Sequence, residues 1–158
     1  MDKQRFRRIM GQFATGVAIV TTRDGDHLHG LTANSVTSVS LEPLLVLVCI
    51  DKSTLTYPIL GRAGAFAINI LSREQEHLAR RFASERKDIH RLDDIPHRFA
   101  VTGAPIIEGC LAYLDCRVAA VYPGGDHDIF LGQVEEGAVT GSGNVPLIFL
   151  RGHYQHWD

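Results

Sequence analysis

Cys110-Leu111-Ala112-Tyr113-Leu114-Asp115-Cys116-Arg117-Val118-Ala119-Ala120 is the stretch on which the fold class turns. Successive side chains of a strand point to opposite faces. Read that way, Cys110, Ala112, Leu114, Cys116, Val118 and Ala120 share one face, and Tyr113, Asp115 and Arg117 share the other. Downstream, Pro123-Gly124-Gly125 breaks the run. Residues 129–139 and 147–154 then read as further strands, separated by Gly141-Ser142-Gly143-Asn144.

Upstream the same reading holds. Residues 17–22 are rich in β-branched side chains, Asp24-Gly25 is a hairpin-type turn, and the chain resumes at residues 27–31. Residues 36–40 mix valine with small polar side chains, and residues 65–71 form another strand. Pro43 precedes an apolar run, 44–50, that reads as a strand buried on both faces. Helices are few. Phe6, Ile9, Met10 and Phe13 fall on one helical face, with Asp2 as N-cap and Gly16 ending the pattern. Ser72 with Gln75 makes a capping box, and Leu78, Ala79 and Phe82 form the stripe of the helix that follows. Residues 84–103 are charged and irregular, a length usual for functional or mobile loops. Many strands with turn signals predict a mainly β barrel or sandwich with a few peripheral helices. The 158 residues carry no repeat or linker, so a single domain over 1–158 is expected.

Composition narrows the function. The net charge of -2 gives no general pull on phosphate backbones, so no nucleic-acid partner is expected. Arg5, Arg7 and Arg8 read as a solvated helix face. The three cysteines, Cys49, Cys110 and Cys116, have no C-x-x-C spacing and sit in apolar segments, which fits a reducing compartment. No apolar run approaches the ~20 residues of a membrane span, and no leader peptide is apparent. The expectation is a cytoplasmic protein without a membrane partner.

Several chemistries lack their signature. There is no G-x-G-x-x-G after a strand, no Walker A sequence and no G-x-S-x-G. His27 and His29 read as exposed strand residues, and His153, His156 and Asp158 lack zinc-type spacing, so no metal is expected.

Three stretches remain. Residues 31–40, Leu-Thr-Ala-Asn-Ser-Val-Thr-Ser-Val-Ser, concentrate small polar side chains. They suit the edge of a flat heterocycle, and equally a plain Ser/Thr-rich edge strand. Residues 49–54, Cys-Ile-Asp-Lys-Ser-Thr, end a strand and start a short helix that Ser53 or Thr54 can cap. Such an N-terminus, with Lys52 beside it, favours an anion, although a capped loop with an exposed lysine has the same sequence. Residues 124–132, Gly-Gly-Asp-His-Asp-Ile-Phe-Leu-Gly, place His127 at the mouth of a strand, where it serves either a turn or a reaction.

Taken in order, these pieces resemble the flavin reductase family with the FMN-binding split β-barrel fold. The resemblance is strongest to the small reductase components of two-component flavin-dependent monooxygenases. It runs from Phe13-Ala14-Thr15-Gly16-Val17-Ala18-Ile19-Val20-Thr21-Thr22 through residues 32–40, Asp51-Lys52-Ser53-Thr54 and Phe66-Ala67-Ile68-Asn69-Ile70-Leu71. It continues in Arg81-Phe82-Ala83, Gly103-Ala104-Pro105, Gly125-Asp126-His127-Asp128-Ile129-Phe130-Leu131-Gly132 and Pro146-Leu147-Ile148-Phe149.

The resemblance implies a homodimer that binds FMN or FAD, uses NADH or NADPH as co-substrate, and delivers reduced flavin to an oxygenase. By resemblance, Thr32, Ala33, Asn34 and Ser35 contact the isoalloxazine edge, with Ser38 and Ser40 nearby. Asp51, Lys52 and Ser53 lie toward the ribityl chain and phosphate. Phe82 and Arg86 sit toward the phosphate or adenylate end. His127 lies at the nicotinamide site, and Tyr154 helps shape that pocket. One departure stands out: the Asp after Phe82-Ala83 is usually followed by a basic residue and Phe, whereas Asp88 precedes Ile89-His90. A non-catalytic flavin-binding electron carrier or sensor would use the same strip without His127, and a dimeric scaffold would use neither.

Overall fold

The structure is a computed structural model and describes residues 1–86 and 90–156. The chain opens with helix α1 (Lys3–Met10), whose Asp2 cap accepts from the Arg5 amide at 2.8 Å. The helix stops at Gly11, short of Gly16. Strands β1 (Thr15–Gly16), β2 (Ala18–Asp24), β3 (His27–Ala33), β4 (Val36–Leu41) and β5 (Leu44–Asp51) follow. Helix α2 (Thr56–Ala63) leads to β6 (Ala65–Ile70). Ser72 and Gln75 form the expected capping box, which opens a short 3-10 turn leading into α3 (Glu76–Ala83). The rest is β7 (His97–Phe99), β8 (Pro105–Ile107), β9 (Ala112–Gly124), β10 (His127–Val139), β11 (Ile148–Leu150) and β12 (His153–Gln155).

A seven-stranded sheet runs β3-β2-β6-β9-β10-β5-β4. Its edge strands, β3 and β4, are consecutive in the chain and joined only by Asn34 and Ser35, so the sheet curls round into a split barrel. Val20, Val48, Ile50, Phe66, Ile68 and Phe130 fill the interior. Outside β2, a second core gathers Ile19, Leu71, Phe82, Leu92, Ile107 and Leu147 under α3. Residues 18–22 are therefore buried on both faces. Asn69, fully buried, donates to the Ile19 carbonyl and Thr21 Oγ1 and accepts from the Ile107 amide, which pins β8 to the barrel wall. No helix among the described residues is long and apolar enough to cross a membrane.

Several expectations need correction. Strand β9 continues through Pro123 and Gly124, and the reversal falls at Gly125-Asp126, where Gly125 takes φ +75°. An L side chain is strained there, and glycine is not. Tyr113 and Asp115 share one face as the alternation predicts, and the β7–β8 hairpin covers that face and buries them. Asp115 accepts from the Thr102 amide and hydroxyl, and Tyr113 donates to Glu136. In β5, Val46, Val48 and Ile50 are buried, while Leu45, Leu47 and Cys49 on the outer face are only half-buried. Residues 147–154 make two short strands reversed at Arg151-Gly152 rather than one. His29 is buried, and only His27 of that pair is exposed.

Candidate active site

A cleft of about 700 Å³ opens between α1 with residues 13–18 on one side and residues 33–37 on the other. Its walls are largely apolar, with Phe6, Met10, Phe13, Val17, Ala33, Val36 and Ile70 prominent. None of the residues of α1 is buried, so its apolar stripe serves as a wall of this cleft. Polar groups converge at Thr15, Asn34, Ser35 and Thr37. The Thr15 hydroxyl is buried and has no hydrogen-bond partner among the described residues. A buried polar atom without a partner costs free energy unless a ligand supplies one. Volume, apolar walls and a few convergent polar groups together fit a small-molecule site of flavin size.

The residues expected at the isoalloxazine edge divide. Ala33, Asn34 and Ser35 line the cleft. Thr32 faces the other way, its hydroxyl donating to the Ala79 carbonyl of α3 at 2.7 Å. Strand alternation forces this: Ala33 points into the barrel, so Thr32 cannot. Ser38 and Ser40 are on the outer edge strand and do not line the cleft. Ser40 accepts from the Glu42 amide and so serves its own turn.

Ser35 links the cleft to a second cluster. Its hydroxyl donates to the Cys49 carbonyl, and its backbone carbonyl accepts from the Cys49 amide. Two residues further along β5, ~7 Å at strand spacing, is Asp51. Asp51 stands directly opposite His127 in the antiparallel register. Asp51 Oδ1 accepts from both the amide and the hydroxyl of Ser53, each at 2.8 Å. Those bonds, the backbone one foremost, hold its carboxyl below the usual range. The N-cap position of α2 is Leu55, so neither Ser53 nor Thr54 occupies it, although the Thr54 hydroxyl accepts from the Tyr57 amide at 3.3 Å. Lys52 pairs with Asp128 at 3.6 Å. His127 is 40% exposed and its Nδ1 lies 2.7 Å from Asp126 Oδ1, which leaves Nε2 to face outward partners.

Three expected residues lie elsewhere. Phe82 is fully buried in the core beneath α3, so its ring cannot line a ligand pocket. Tyr154 packs against Phe149 with the Arg80 guanidinium over its ring, on the C-terminal hairpin and outside the cleft. Burial raises its phenol pKa. Arg86 is exposed, its amide donating to Ser84. The Asp88-Ile89 departure lies outside the described residues. Sequence reasoning overlooked Thr15, Tyr57 and Asp128. Thr15 stood inside the stretch 13–22, yet only burial reveals that its hydroxyl has no hydrogen-bond partner among the described residues.

A split barrel with an apolar cleft and a polar rim at the β3–β4 junction has the shape of a site for a flat heterocyclic cofactor. The flavin reductase like domain matches residues 10–158, and the chain belongs to that family. A flavin reductase of Pseudomonas putida is 42% identical over 155 residues, covering 98% of this chain and 89% of that protein. The reductase subunit of a flavin-dependent monooxygenase from Mycobacterium tuberculosis is 39% identical, covering 98% and 82%. Among solved structures, the NADH:FAD oxidoreductase of Streptomyces globisporus superposes with a TM-score of 0.91 at 37% identity, covering 99% of this chain and 94% of that one.

Proposed function

We propose that this protein is an NADH-dependent flavin reductase that reduces FMN or FAD and supplies the reduced flavin to a separate oxygenase component. The observation that carries this reading is the unpaired Thr15 hydroxyl inside an apolar cleft whose polar rim, Asn34 and Ser35, is tied to the Asp51–His127 pair. Flavin supplies the redox chemistry when bound, accepting a hydride from the nicotinamide.

The chain's own residues bind and orient. Thr15, Asn34 and Ser35 hold the polar edge of the ring against the apolar walls. Asp51 keeps the turn at Ser53 in shape, and Lys52 and Ser53 lie toward the phosphate. His127 presents Nε2 to the nicotinamide and fixes its approach, a matter of near-attack geometry.

A second copy of the chain covers the half-buried outer face of β5, where Leu45, Leu47 and Cys49 lie beside Ile129 and Leu131 of β10. The cysteines are all free, in keeping with the cytoplasm as the place of work.

The test is steady-state oxidation of NADH and of NADPH by the purified protein with FMN or FAD added. Turnover with NADH is expected. Absence of turnover in every pairing would overturn the reading.

A further inference from the structure

Lys52, assigned above to the phosphate, is already engaged by a carboxylate. Its Nζ lies 3.6 Å from Asp128 Oδ1, with the Lys52 side chain 44% exposed and that of Asp128 only 13% exposed. The second oxygen, Oδ2, accepts from the Tyr57 hydroxyl at 2.5 Å. Tyr57 stands in the first turn of α2, and its ring packs edge-on against Phe130 with centroids 6.0 Å apart. Phe130 is buried in the barrel. Asp128 and Phe130 are two residues apart on β10 and so share the inner face, opposite His127. The hydrogen bond to Asp128 is the largest cause raising the Tyr57 phenol pKa, which keeps it a donor. The carboxylate is thus anchored from the core side, while the ammonium reaches it from solvent.

We infer that Asp128, held by Tyr57, sets flavin affinity by competing with the flavin phosphate for Lys52. This rests on the placement of Lys52 toward the phosphate in the proposed function. A phosphate that approaches Lys52 must displace or share its counter-ion and meets a carboxylate of like charge. Both costs apply to FMN and FAD and not to riboflavin, which has no phosphate. The consequence suits a protein that passes its reduced flavin on: the pair weakens retention without touching the ring site. The ion pair is partly exposed, so the effect is modest, about threefold, and it shrinks as salt rises.

The experiment measures dissociation constants of FMN and riboflavin by flavin fluorescence for the full chain and three variants. Asp128→Asn keeps an acceptor for the Tyr57 hydroxyl and removes the charge. It is expected to tighten FMN about threefold and leave riboflavin unchanged. Lys52→Met is expected to weaken FMN alone. In the Lys52→Met background, Asp128→Asn should tighten FMN less than it does in the wild-type chain, since only the like-charge repulsion is then relieved, and equal tightening in both backgrounds overturns the competition for Lys52. A purely structural role for Asp128 would instead loosen both flavins together, and that result overturns the inference. So does an unchanged FMN-to-riboflavin ratio in Asp128→Asn. If the wild-type chain binds neither flavin, the proposed function falls first and this inference with it.

Discussion

His29 Nδ1 lies 2.8 Å from the Thr56 hydroxyl, inside the protein and at the N-terminus of α2. His29 is 4% exposed, with His90 edge-on to it at 5.9 Å between ring centroids. Burial is the largest influence on it, followed by the charges of His90, Arg91 and His27, and together they push its pKa down to about 4. The folded state therefore favours the neutral ring. Stability is fully present above the unfolded pKa near 6.5 and falls as pH drops toward 4. The loss over that window is about 3 kcal/mol. Urea unfolding at pH 7.5 and pH 4.5 should show it, and His29→Asn should flatten the difference.

Thr15 is expected to act in two opposite directions. Thr15→Val removes a buried hydroxyl that has no partner among the described residues. The free protein should gain about 1 kcal/mol in thermal or urea unfolding. Flavin binding should weaken, by about 5-fold for one lost hydrogen bond. Titration and unfolding on the same preparation separate the two effects, and equal binding by the variant would remove Thr15 from the site.

His127→Ala should leave flavin affinity unchanged, because its side chain contacts Asp126 and not the cleft. NADH oxidation should fall by about 10- to 100-fold, the scale of a misplaced reactant. Stopped-flow reduction at saturating flavin reads this directly.

Gly132→Ala tests the barrel. A Cβ at Gly132 would sit 2.6 Å from the Phe66 ring and 2.9 Å from Cys116 Cβ, both fully buried. Neither neighbour has room to move, so a loss of about 1–3 kcal/mol is expected in urea unfolding.

What the sequence disclosed was local. The Asp2 cap, the Ser72–Gln75 capping box and the reversal after Asp24 each depend on a few adjacent residues, and each stands in the fold where expected. What it hid depended on distant partners. Strand alternation puts Tyr113 and Asp115 on one face, but what covers that face is the β7–β8 hairpin, folded back across them and supplying Thr102. Thr32 belongs to the polar strip by composition, yet α3, nearly fifty residues later, takes its hydroxyl. Phe82 carries the family resemblance as a sequence element while its ring is spent on the core. The candidate site was legible as an ordered set of segments. Which side chains face the cleft was not, because strand alternation and the curl of the sheet decide that.

The short sheet of β1, β11 and β12 joins the two ends of the chain: Thr15 pairs with Phe149, and the Arg151 amide donates to the Gly11 carbonyl. One wall of the cleft thus depends on backbone partners far away in sequence. Contacts of such long sequence separation form late and slowly. Until residues 148–151 are in place, residues 11–16 lack these backbone partners, so this wall of the cleft is among the last parts of the fold to settle.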